Sequence, residues 1–199
     1  MDRLLELAHR LARYGAWAAG ALIIGAAVLI GIDIGMRKLF NESIGGASEL
    51  SGYVLAISAS WGFALTMLDR AHIRIDSLYV VLPVRVRALL DILGLIVMLG
   101  FVGYLTWQCN HVFMQTWQLG SRALTPIATP LVYPQFLWVA GMVYFLIVIA
   151  LLLVRALMAL VTGDFDTIQR IAGSRSSMEE VQEELESIGA RTQTTGGAR

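Results

Sequence analysis

Apolar and polar positions fall in long alternating blocks along this chain, and the blocks predict helices. Four apolar runs, at about residues 16–36, 50–68, 88–107 and 136–154, are each long enough to cross about 30 Å of hydrocarbon as an α-helix. The first carries one charge, Asp33, and the last carries none. At 1.5 Å per residue Asp33 lies about 25 Å beyond Ala16, near the far boundary of the bilayer, one turn before Arg37, and this spacing predicts an ion pair. Along the second run Gly52, Ala56, Ser60 and Ala64 recur every fourth residue. Small side chains in one row let a second helix approach closely, which is how helices associate where lipid removes the hydrophobic drive between them. These four residues are therefore the candidate helix-packing face, with a neighbour expected from within the same chain.

The polar stretches define what lies between the spans. In residues 1–15, Leu4, Leu7, Leu11 and Tyr14 share one helical stripe and Arg3, Glu6, Arg10 and Arg13 another, which predicts an amphipathic helix lying in the interface. A cleaved signal peptide is the rival reading, but the apolar run that follows is too long for one and ends in Arg37-Lys38 rather than a cleavage site. Asn41 to Ser48 reads as a turn leading to Glu49, an anion at a helix start where the helix dipole favours it. Leu68 to Pro83, LDRAHIRIDSLYVVLP, sets a dense run of charge at mid-chain and separates two helical hairpins. Pro83 suits the first turn of the third helix, in which Arg87 and Asp91 stand four apart. That helix is expected to run on through Trp117 to Leu119 and to stop at Gly120, beyond what the bilayer needs. Two prolines in Ser121 to Pro130 deny helix and predict an extended connection. Trp107, Trp117, Tyr133 and Trp138 form an aromatic belt on that side.

Composition adds the class. With 57% hydrophobic residues, 15% charged and a mean hydropathy of +0.67, the chain reads as an all-α integral membrane protein. A formal net charge of zero gives no footing for a nucleic-acid partner. Nine basic residues, Arg3, Arg10, Arg13, Arg70, Arg74, Arg85, Arg87, Arg155 and Arg170, map to one side of the spans, against three, Arg37, Lys38 and Arg122, on the other. Positive charge marks the cytoplasmic side, so both termini and the central charged run are expected there. Residues 161–199 then form a cytoplasmic tail, with a short acidic helix at about 177–188. The single cysteine, Cys109, excludes an internal disulfide.

Candidate chemistry is sparse. No HExxH, CxxC, P-loop or nucleophile elbow occurs, so no catalytic residue is assigned. His72 with Asp69 and Asp76 has the donor types of a metal site, but such groups at an interface are more commonly solvated or salt-bridged, and no metal or cofactor is expected. Haem held in the membrane needs histidines on facing helices, whereas His9, His72 and His111 lie outside the spans, which weighs against a redox-enzyme anchor. A self-contained transporter or channel is expected to carry ionisable groups or broken helices at mid-bilayer; here Ser58, Ser60 and Thr66 are the main polar groups of the second span. The residue pattern favours an accessory subunit.

The charged run, with Asp69, His72, Ile73, Arg74, Ile75, Asp76 and Leu82-Pro83, resembles the segment between the second and third helices of the small membrane subunit of TRAP transporters, the DctQ-like family. The resemblance extends over roughly residues 16–160 and includes Glu49 before the second helix and SRALTPIATPLVYPQFLWVAG leading into the fourth. It implies a brace beside a large elevator-type membrane subunit that binds substrate and sodium, with a periplasmic binding protein delivering an organic acid. Glu49, Asp69, Arg70, His72, Arg74 and Asp76 are then the candidate contacts to that partner or to membrane lipid headgroups, where Arg makes paired contacts to carboxylate or phosphate that Lys does not reproduce.

Overall fold

Helices α1 (Asp2–Phe40), α2 (Ala47–Leu68), α3 (Val84–Leu119) and α4 (Val132–Thr162) dominate the computed structural model, which describes residues 2–70, 82–164 and 167–168. All four are long and apolar enough to cross a membrane, as the hydropathy pattern predicts. The acidic helix expected at 177–188 lies outside the described residues, as do His72, Arg74 and Asp76.

α1 differs from expectation at its start. Residues predicted to form a separate interfacial helix are the opening turns of one helix of 39 residues, about 58 Å long. Gly15 is the only weak helix former at the expected break, and one glycine costs about 1 kcal/mol, too little to end a helix without a proline. The Leu4, Leu7, Leu11 and Tyr14 stripe faces outward, while Ala8 and Ala12 pack inward. Arg37 and Lys38 occupy the last turn, where the helix dipole favours cations. α3 ends where the sequence indicates: Gly120 takes a left-handed φ of 59° and its N–H donates to the Thr116 carbonyl.

The helices pack mainly in a row. α1 packs on α2, α2 on α4, and α4 on α3, giving the spatial order α1-α2-α4-α3. α4 is buried from both sides, through Val139, Met142, Phe145, Val148, Ile149 and Leu152 among others. α1, at one end of the row, buries little beyond Ala8, Ala12, Ala19 and Asp33, and its Ile23, Ile24, Val28 and Ile32 point outward. In water such a surface would be a liability, but in hydrocarbon a lipid chain solvates it as well as another leucine would.

Candidate functional site

At the N-terminal end of α1, the chain leaves α2 through Asp69 and Arg70. Asp69 caps α2 with its N–H donating to the Leu65 carbonyl at 2.9 Å, and its Oδ1 accepts from His9 Nε2 at 2.8 Å. The Asp69 carboxylate that the sequence offers to a metal is thus joined to α1. Both partners are more than a third or nearly a third exposed, 33% for His9 and 41% for Asp69, so the link is worth at most about 1 kcal/mol and acts chiefly as a register mark between the helices. Arg70 follows with φ 54°, a left-handed conformation that costs an L-residue about 1–2 kcal/mol. Close by, the Tyr144 hydroxyl of α4 donates to the Ala8 carbonyl, tying a third helix to the same end.

The opposite end is built on two carboxylates. Asp33, 4% exposed, accepts from Arg37 Nη2 at 2.7 Å, from Ser43 Oγ at 2.9 Å and from the Ile44 N–H at 2.7 Å. The predicted Asp33–Arg37 pair is present, and the same carboxylate also holds the turn between α1 and α2. Glu49 Oε1 accepts from the Tyr53 hydroxyl at 2.7 Å, and its other oxygen accepts from Thr125 in the connection between α3 and α4. Glu49 therefore fastens that connection to the start of α2. The connection lies directly on the turn: a Cβ on Gly46 would stand 2.1 Å from Ile127 Cδ1 and one on Gly45 3.3 Å from Pro126 Cγ, so a side chain at position 46 would have to displace that of Ile127.

Between the two ends, the small-residue row divides. Ser60 and Ala64 are buried, whereas Gly52 and Ala56 are exposed and Gly52 has open space where a Cβ would stand. Within the chain itself, two of the four, Ser60 and Ala64, are covered by neighbours, and Gly52 and Ala56 face outward. Successive fourth residues rotate about 40° around a helix, so Gly52 and Ala64 point about 120° apart, and a nearly straight neighbour meets only part of the row. The neighbour is α4 of the same chain. A Cβ built on Gly141 would lie 2.4 Å from Ser60 Oγ, 2.9 Å from Ser60 Cβ and 2.8 Å from Trp61 Cδ1, so α2 and α4 leave no room for a side chain there. Trp61 Nε1 donates to the Leu137 carbonyl at 3.1 Å and its ring stacks on Tyr144, centroids 5.7 Å apart.

The hydroxyls within the spans are largely spent on backbone carbonyls. Ser58 Oγ donates to the Ala19 carbonyl across the α1–α2 contact at 3.2 Å, Ser60 Oγ to Ile57, Thr66 Oγ1 to Phe63 and Thr106 Oγ1 to Val102. Asp91, 2% exposed, also has an interaction partner. Among the described residues no three His, Cys, Asp or Glu side chains gather as a metal site would require.

Sequence reasoning missed His9, Thr125 and Gly141. His9 was legible from the hairpin, because a short turn at 41–46 makes α1 and α2 antiparallel with partners whose numbers sum to about 77: Asp33 with Ile44, Ala19 with Ser58 and His9 with Asp69 all satisfy it. Thr125 and Gly141 carry no such signal, since they depend on which helix α2 meets.

The sequence model of the family described as "Tripartite ATP-independent periplasmic transporters, DctQ component" matches residues 26–159. No curated protein matches the chain.

Proposed function

This chain belongs to the DctQ family, the small membrane component of tripartite ATP-independent periplasmic transporters, and from that premise we propose that it is a non-catalytic brace for a large elevator-type membrane subunit. In this reading the complex lies in the bacterial inner membrane, the termini are cytoplasmic, and a periplasmic binding protein delivers an organic acid that the large subunit carries with sodium. The observation that supports the brace is the packing in a row. The main helix contacts run in series, and the hydroxyls of Ser58, Ser60, Thr66 and Thr106 are spent on backbone carbonyls rather than lining a path. A fixed element offers packed helices and outward apolar faces, and α1 and α3 supply both.

The charged run between α2 and α3 is the proposed contact, through Asp69, Arg70, His72, Arg74 and Asp76, with Glu49 holding the opposite end. The test is co-expression with the large membrane protein that an adjacent reading frame should encode. Arg74→Lys is expected to insert normally yet co-purify less of the large subunit, and Arg74→Glu to weaken it further and abolish uptake. The chain alone in proteoliposomes is expected to transport nothing. Sodium-driven uptake by the isolated chain would sink the reading; full assembly by both variants would remove the contact from the charged run.

A further inference from the structure

A groove of about 420 Å³ runs along the outer side of the α1–α2 contact, and its chemistry changes from one end to the other. Arg13 stands at the mouth, exposed, with His9 Nδ1 at 3.5 Å as a long contact. Trp17 and Ile24, 76% and 67% exposed, and Leu65 of α2 form the walls. The floor is made by Gly20 and Ala21, and no atom lies within 4 Å of the place where a Gly20 Cβ would stand.

Depth gives this groove its meaning. Arg13 and Asp33 are 20 residues apart on one continuous helix, about 30 Å, so they mark the two boundaries of the hydrocarbon. From Arg13 to Ile24, where the groove ends, is about 16 Å, the depth of one leaflet. A cation therefore stands at headgroup level, an indole at the interface, and an apolar channel reaches the midplane and stops.

We propose that this groove binds one anionic phospholipid of the leaflet nearest the N-terminus, its phosphate on Arg13 and one acyl chain laid over Gly20 and Ala21. A spanning helix of a partner is a poorer occupant, because it would continue past Ile24 and brings no anion to Arg13. The inference goes beyond the brace reading and needs only that α1 crosses the membrane.

Native mass spectrometry of the full-length chain in detergent, titrated separately with dioleoyl phosphatidylglycerol and dioleoyl phosphatidylcholine, tests it. One phosphatidylglycerol is expected to be retained about fivefold more tightly than phosphatidylcholine, the worth of one arginine at an anionic surface. Arg13→Gln should erase that preference while leaving residual binding of both lipids, and Gly20→Leu, which has room to fold, should displace both. Helicity and thermal melting of each variant confirm that it is folded. Equal retention of the two lipids by the unaltered chain, or unchanged retention by folded Gly20→Leu, overturns the proposal. So does a Gly20→Leu chain that loses the co-purified large subunit while keeping its lipid, since the groove would then seat a partner helix.

Discussion

Between Ser60 and Gly141 the gap between α2 and α4 is too narrow for a methyl group. Replacing Gly141 or Ser60 by leucine must force off-rotamer side chains or separate the helices, and overpacking of this kind costs about 1–3 kcal/mol. Gly52→Leu, two small-residue steps back along α2 from Ser60, meets open space and should be neutral. Thermal melting in detergent is expected to fall for Gly141→Leu and Ser60→Leu and to hold for Gly52→Leu; equal tolerance at the three positions would mean that the close approach contributes nothing. The difference was half legible in the sequence. Spacing by four identifies small residues that share a row, but the 40° drift per step means that only the neighbour's position decides which are used.

At the level of elements, the connection from α3 to α4 is a docked loop, beyond the extended linker that its prolines predict. Ala123 and Leu131 N–H groups donate to Thr129 and Ser121 carbonyls across a bridge between Arg122 and Pro130, and Thr125 reaches Glu49. Removing the acceptor should release the loop. Glu49→Ala is expected to raise the rate of tryptic cleavage after Arg122 by about fivefold, the effect of one hydrogen bond, with Glu49→Gln intermediate. An unchanged rate would show that the bridge alone fixes the loop. The helices themselves were legible because apolar blocks, Pro83 and Gly120 bound them directly. The continuity of α1 was not: amphipathic periodicity around Leu4 to Tyr14 describes which face is apolar, and it is the same for a helix lying on a membrane and for the protruding start of one that crosses it.

For the whole molecule, the two sets of contacts place Ser43, Glu49 and Thr125 at one end and His9 and Asp69 at the other. Reporter fusions should follow that division. Fusions after Arg70 and Val161 are expected to report cytoplasm, and fusions at Ser43 and Thr125 periplasm; a periplasmic signal at Arg70 would invert the proposed orientation. Which end faces which compartment comes from the arginine asymmetry, while the grouping of the loops comes from the fold.

The row α1-α2-α4-α3 also has a history written into it. A ribosome delivers α2 and then α3, yet in the finished molecule α4, made after both, stands between them. Until α4 arrives, the Ser60 side of α2 and the buried side of α3, with Leu95 and Val102, have no permanent neighbour. Nascent α2 and α3 must therefore stay apart or part again, and Gly141, a residue with no side chain, is what the late helix presents to Ser60 and Trp61, where a side chain would not fit.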